Sequence, residues 1–226
     1  MSEVWTCNVR GGLGTQILSL YTAYAMAEEA GVPMGRVMFN TDNYPPESMK
    51  NNDINRIYFD DLLEFANRPE IYSVSGTAKT NAFDVGNIKI LLRNWDKLQE
   101  KVWLRSKPKT LNRELIHIRQ GDRALVNIEK FDKLISHKPD AVVISDKTWV
   151  YDRYKIKPTN DVLIDWYEVF RSKVVYAGFS SYVLLSGMFN KEQEVYFFGK
   201  DKSDLPFRAW DAVEAYVDGL PNFHWI

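Results

Sequence analysis

The chain has 226 residues, of which 45% are hydrophobic and 26% charged, with 29 basic against 30 acidic side chains and a formal net charge of −1. That size admits one large unit or two compact halves with a real core, and the balanced charge argues against a nucleic-acid-binding class while leaving room for a local basic site. The single cysteine, Cys7, excludes an internal disulfide framework, and no run of about 18 apolar residues marks a membrane span.

Val4–Val9 is a β-rich run ending at Arg10-Gly11-Gly12-Leu13-Gly14. Cys7 lies in it and reads as a buried, inert thiol of a reducing compartment. Ile17, Leu20, Tyr21, Tyr24 and Ala25 recur at helical spacing. That helix stops at Glu28-Glu29-Ala30, with Gly31 and Pro33 just beyond. Arg36–Phe39 is the next candidate strand, residues 40–56 read as loop, and residues 57–103 are weakly patterned. The basic stretch Ser106–Arg113, with Pro108, is the expected connection between halves. Beyond it the rhythm of strand and helix restarts. Leu115–Ile118, Ala141–Ser145, Lys173–Tyr176 and Glu194–Phe198 read as strands, and Val162–Arg171, Ser181–Phe189 and Ala209–Val217 as helices. Ala141–Ser145 has the near-continuous apolar character of a strand buried on both faces. This alternation predicts an α/β fold of two compact Rossmann-type lobes, 1–110 and 111–226, with parallel sheets and an interlobe cleft at the carboxyl ends of the strands.

Three segments could carry chemistry. Gly11-Gly12-Leu13-Gly14-Thr15-Gln16 joins a strand to a helix, where glycines permit a sharp turn and the helix end offers free N–H groups. It lacks the Lys-Ser/Thr pair of a P-loop and the Gly-x-Gly-x-x-Gly spacing of a dinucleotide site, so a tight turn and a ligand loop both fit it. His117-Ile118-Arg119-Gln120-Gly121-Asp122 closes a strand. His117 and Arg119 share a face, and a guanidinium there suits a diphosphate as well as it suits an Arg–Asp ion pair. In Gly178-Phe179-Ser180-Ser181 the hydroxyls precede a helix, where they could cap it or hold phosphate oxygens. Asp146 follows a strand and Asp165 sits in a helix; each also fits an ordinary exposed position. Trp149, Tyr151 and Trp166 lie near these segments, where an exposed ring could stack on a sugar.

Taken in order, the segments resemble motifs of the fucosyltransferase superfamily. Arg10–Gln16 resembles the Gly-Gly-Leu-Gly-Asn-Gln opening of the α-1,2-fucosyltransferases, and His117–Asp122 resembles their His-x-Arg-Arg-Gly-Asp motif. Ile144-Ser145-Asp146 looks like their Ser-Asp-Asp strand end, and Phe179-Ser180-Ser181 is similar to the Phe-Ser-Ser of α-1,6-fucosyltransferases. The motifs span residues 10 to 181. The resemblance implies a GT-B-like fold whose second lobe binds a GDP-sugar, typically GDP-fucose, whose first lobe is on the side of the glycan acceptor, and whose loop of Gly11, Gly12, Gly14 and Thr15 contributes to donor binding. It implies that Arg119 holds the β-phosphate, that His117 and Asp165 contact the guanine, and that Phe179, Ser180 and Ser181 belong to the donor site. Gln120, Thr15, Lys147 and Ser181-Tyr182 depart from the family pattern. They leave open a different nucleotide-sugar, or a nucleotide- or glycan-binding module without catalysis.

The implied reaction is an inverting transfer to a glycan hydroxyl without a cofactor. Arg119 would stabilise the leaving diphosphate, and Asp122, Asp146 or Glu129 would be the base. No Asp-x-Asp pair occurs, and His117, His137, His224 and Cys7 show no zinc-type spacing, so no metal is expected. A kinase-like nucleotide enzyme is disfavoured by the missing P-loop. Met1-Ser2-Glu3 lacks the features of a signal peptide, so a cytoplasmic microbial or viral setting is expected.

Overall fold

The computed structural model describes residues 13–32, 62–67, 83–119, 127–158, 161–199 and 210–226 in full, and the backbone of 5–8, 37–40, 70–72 and 207–209. Gly11, Gly12, Gln120, Asp122 and the side chain of Cys7 lie outside the described residues. The chain divides into two compact units, Met1–Lys107 and Pro108–Ile226.

In the first unit, strands β1 (Trp5–Asn8), β2 (Val37–Asn40) and β4 (Glu70–Tyr72) form a parallel sheet in the order β1-β2-β4. Helix α1 (Leu13–Glu29) is buried on almost every face, so its sequence carries no polar stripe. Helix α2 (Val85–Lys101) is amphipathic, burying Ile88, Leu91, Trp95 and Leu98. It lies in the stretch that the sequence left weakly patterned. The Tyr21 hydroxyl of α1 donates to the Val102 carbonyl at 2.8 Å, and its ring packs 4.7 Å from that of Trp95. Glu28 and Glu29 sit at the negative end of the α1 dipole, an unfavourable place for acids. Helix α2 compensates: Lys101 and Lys97 pair with Glu28, and Arg93 grips both oxygens of Glu29. The bonds from Lys101 and Arg93 hold both carboxyls below the usual range. Strands β3 (Leu63–Phe65) and β5 (Val102–Leu104) form an antiparallel pair.

The second unit is built on β6 (Leu111–Ile118), β7 (Val142–Ser145), β8 (Ser172–Ala177), β9 (Glu194–Phe197) and β10 (Phe223–Trp225), all parallel, in the order β10-β9-β8-β6-β7. The helices between them are α3 (Ile128–His137), α4 (Thr148–Tyr154), α5 (Val162–Arg171), α6 (Ser181–Phe189) and α7 (Phe207–Gly219). The expected connection Ser106–Arg113 is shorter than its composition suggests, because Leu111, Asn112 and Arg113 already belong to β6. Arg113 is an anchor rather than linker charge: it donates to Ser172 Oγ and the Glu168 carbonyl, both at 3.1 Å, and pairs with the Glu168 carboxylate. Thr110 is tied to Asn190 at 3.2 Å, which fixes the start of this strand to its own unit. Helices α3 and α4 and strand β10 were not assigned from the sequence.

Alternation along β6 divides the core. Ile116 and Ile118 pack with Phe131, Val143, Val150 and Phe198 on one face, while Leu115 and His117 point to the other. Helix α3 runs back along the first face, since Lys138 just beyond its end bonds Glu114, near the start of β6, at 2.8 Å. Helix α6 is apolar and buried all round. It lies so close to β9 and β10 that a Cβ on Gly187 would meet Phe223 Cζ at 2.7 Å and Val195 Cγ2 at 2.8 Å.

At the amino ends of the strands a knot of buried amides closes the sheet. The fully buried Gln193 donates to the carbonyls of Val169 at 2.6 Å and Ser172 at 2.8 Å, and accepts from Ser186 Oγ at 2.8 Å. Asn190 donates to Phe170 O at 2.7 Å, and Asn222 to Gln193 O at 2.8 Å. The contact at Gly187 gives a direct test. Gly187→Ala forces overpacking between buried side chains and should lower unfolding free energy by about 1–3 kcal/mol, read from urea unfolding.

Candidate functional site

In the second unit β6 lies between β7 and β8. The chain leaves β6 through α3 on one face to reach β7, then returns past β6 to β8, from which α6 departs on the opposite face. The connections leaving the carboxyl ends of β6 and β8 therefore diverge. Open α/β sheets bind ligands at such a reversal, outside the carboxyl ends of the strands.

His117 and Arg119 come to this edge from β6, and Phe179, Ser180 and Ser181 from the turn between β8 and α6. His117 is 6% exposed and Ser180 1% exposed. Neither His117 Nδ1 nor Ser180 Oγ has a hydrogen-bond partner among the described residues. The register pairs His117 with Ala177, so both orphaned atoms belong to the ends of adjacent strands. Burial, and then the neighbouring Arg119 charge, push the His117 imidazole from 6.5 down to about 3, so the ring is neutral at physiological pH.

Ser180 occupies the N-cap position of α6, yet its side chain makes no capping bond. Three other helices, α2, α3 and α5, are closed by theirs, while Lys147 at the start of α4 makes no such bond. Asp84 accepts from Asn87 N at 3.1 Å, Asn127 from Glu129 N at 3.0 Å, and Asp161 from Leu163 N at 2.8 Å. The amino end of α6 thus keeps the polarity that attracts anions. The capping reading of Ser180 does not describe its hydroxyl.

Tyr182, which the sequence marked only as a departure, locks the edge together. Its ring stacks on His117 at 5.8 Å between centroids, and its hydroxyl donates to the Val162 carbonyl in the first turn of α5. The signal in the sequence was its place one residue beyond Ser180-Ser181. Asp165 is part-buried on α5, one turn from Asp161 and Val162. The first turn of α5 is thereby joined to the His117 ring.

The end of β7 adds Asp146. Ser145 pairs with Ile118 in the sheet, so Asp146 and Arg119 are the next residues on neighbouring strands. Ser145 Oγ donates to the Ile118 carbonyl at 2.7 Å and accepts from Lys147 N at 3.2 Å, which turns the chain here. Asp146 is exposed. Glu129 is exposed in the first turn of α3. Gly14 is buried and Thr15 part-buried in the first turn of α1, in the other unit. Of the rings flagged for sugar stacking, Trp166 and Tyr151 are buried and Trp149 is exposed. Among the described residues no group of His, Cys, Asp and Glu could hold a metal ion, and no helix is long and apolar enough to cross a membrane.

No protein-family model matches the chain, and no curated protein matches its sequence. Its fold does match solved structures. A crystal structure of NodZ α-1,6-fucosyltransferase soaked with GDP-fucose superposes with a TM-score of 0.51 at 13% identity, covering 91% of this chain and 97% of that one. A second NodZ structure, co-crystallised with GDP, gives a TM-score of 0.46 at 12% identity over 82% of this chain and 92% of that one. The chain has a fucosyltransferase-like α/β fold of the GT-B type.

The orphaned groups yield two tests. Loss of a working cap costs about 0.5–2 kcal/mol, so Asp161→Ala should destabilise by that amount. Ser180→Ala removes a buried hydroxyl with no bond to lose and should leave the unfolding free energy unchanged or raised; thermal and urea unfolding of both variants decide it. For His117, the unfolded ring titrates near 6.5 and the folded one near 3. Between those values the unfolded chain binds the extra proton, so stability falls on acidification through that window, by up to about 1.4 kcal/mol per pH unit. His117→Gln should flatten this acid limb in urea unfolding measured across it.

Proposed function

We propose that the chain is a nucleotide-sugar-dependent glycosyltransferase that moves a sugar, fucose in the first instance, from a GDP-sugar to a glycan hydroxyl with inversion and without a metal. The observation that carries this reading is the pair of buried, unpartnered groups, His117 Nδ1 and Ser180 Oγ, on adjacent strand ends with Arg119 immediately beyond. Burying polar atoms without partners costs about 1–3 kcal/mol each, a cost that a polar ligand at this edge would offset. An arginine beside an uncapped helix end suits a diphosphate, through paired hydrogen bonds and the helix dipole. The neutral His117 and the carboxylate of Asp165, braced through Tyr182, suit the donor and acceptor groups of a nucleobase. The unit Pro108–Ile226 is assigned to the donor and Met1–Lys107 to the acceptor side, with the loop of Gly11, Gly12, Gly14 and Thr15 assigned to donor binding.

In the reaction, the acceptor hydroxyl oxygen attacks the anomeric carbon on the side opposite the diphosphate. The bond from that carbon to the β-phosphate oxygen breaks, and its electron pair leaves with GDP. Charge builds on the departing diphosphate, where Arg119, Ser180, Ser181 and the first N–H groups of α6 would stabilise it. The hydroxyl proton goes to a carboxylate; Asp146 and Glu129 stand exposed in the second unit, and Asp122 is the further candidate.

The rival reading is a binding module that kept the fold, favoured by Gln120 in place of the family's second arginine. Turnover separates the two. GDP-fucose and GDP-mannose are offered with a glycan panel, and both transfer and donor hydrolysis are followed. The transferase reading expects turnover with at least one donor, and its loss by about 10²–10³-fold in Arg119→Ala with thermal unfolding unchanged. GDP binding without any turnover would favour the module, and normal turnover in Arg119→Ala would overturn the assignment of that residue.

A further inference from the structure

We propose that Trp149 is a stacking platform for a pyranose ring of the acceptor; this rests on the transferase reading and adds to it an acceptor subsite on the second unit, beyond the acceptor role assigned to the first. Of the exposed large apolar side chains among the described residues, Leu111, Trp149, Ile164 and Ile226, Trp149 is the aromatic one, at 43% exposure. A single exposed apolar side chain is ordinary. What distinguishes Trp149 is how it is mounted.

It sits on α4, a 7-residue helix too short to persist by itself. The helix is fastened at Val150, Tyr151, Arg153 and Tyr154. Val150 is fully buried in the core beneath β6 and β7. The Tyr151 hydroxyl donates to the Ser145 carbonyl at 2.8 Å and accepts from the Ser145 amide at 2.9 Å. Arg153 donates to both oxygens of Asp132 at 3.0 and 2.6 Å, and the Tyr154 hydroxyl joins it at 2.8 Å. Lys155 ends the helix in the left-handed conformation, φ 55°. These bonds tie α4 to the sheet and to α3, and the indole is the large group they leave in solvent.

A flat ring on a firmly held stretch of backbone is suited to binding, because only its own two side-chain torsions are fixed when a partner covers it. Its position selects the partner. Ser145, to which α4 is clasped, ends β7 at the same carboxyl edge as His117 and Ser180, and Asp146 lies three residues before Trp149. Thr148 and Asp152 flank it as exposed polar groups. A pyranose has an apolar face of C–H bonds and a rim of hydroxyls; the first packs on an indole and the second bonds to carboxylates and hydroxyls. An exposed indole with Asp146, Thr148 and Asp152 within three residues of it in the chain has that character. It would hold the acceptor with a hydroxyl directed towards the donor's end of β6.

The test uses the full chain labelled at its indole nitrogens, titrated with methyl β-galactopyranoside and methyl β-N-acetylglucosaminide, each with and without GDP. The Trp149 signal is identified by its loss in Trp149→Phe. At least one glycoside should shift that signal saturably. Trp149→Ala should weaken glycoside binding by about threefold to tenfold and Trp149→Phe by less, and in the transfer assay Trp149→Ala should raise the acceptor KM rather than lower kcat. If GDP binds and neither glycoside moves the Trp149 signal, the platform is overturned while the donor reading stands. If the glycosides move it but GDP neither binds nor is released from any donor, the platform stands and the transferase reading falls.

Discussion

The reversal of the chain at β6 is the constraint from which the second unit follows. A parallel sheet needs a crossover for every strand, and here the crossovers that leave β6 and β8 lie on opposite faces, α3 over Ile116 and Ile118 and α6 over the His117 side. Because Leu115, Ile116 and Ile118 are fully buried, the strand between those helices cannot shift its register without moving its whole apolar set. The placement of His117 and Arg119 is thus set by the packing of the apolar residues beside them in β6.

The two ends of the same sheet are finished differently. At the amino ends, Gln193, Asn190 and Asn222 saturate the carbonyls where α5 and α6 stop, so each of these buried amides has its partners, and Arg171 Nε is the group left without one there among the described residues. At the carboxyl ends, His117 Nδ1 and Ser180 Oγ are buried without them. Native structures rarely leave buried polar groups unsatisfied, and departures from local consistency concentrate where a protein works. The contrast also appears in the helices. Asp84, Asn127 and Asp161 close the ends of α2, α3 and α5, while the serine at the corresponding place on α6 does not.

Much of this was legible in the sequence, for identifiable reasons. The helix at Leu13–Glu29 and the strands and helices of the second half show apolar runs or periodicity strong enough to read locally. The amphipathic helix Val85–Lys101 has the same kind of pattern, but its apolar positions are spread among Lys, Asn, Asp and Gln, and its partners on α1 are far away in the chain. Helix α4 was missed because seven residues carry too little periodicity; its order comes from Tyr151, Arg153 and Tyr154 bonding to other elements. The boundary between the units falls inside the linker-like stretch Ser106–Arg113, and only its end belongs to β6, where the charge of Arg113 is answered by Glu168, 55 residues on.

By itself the sequence determined the α/β class, the strand that ends in His117-Ile118-Arg119, and the turn that carries Ser180 and Ser181, because each depends on local pattern and on residue types at short spacing. The tertiary structure decided which of those groups meet. That β6 and β8 are neighbours, that Tyr182 braces His117 against the first turn of α5, and that the Ser180 hydroxyl is buried without capping its helix all depend on strand order and helix packing. These are relations between segments distant in the chain, and local spacing carries no record of them.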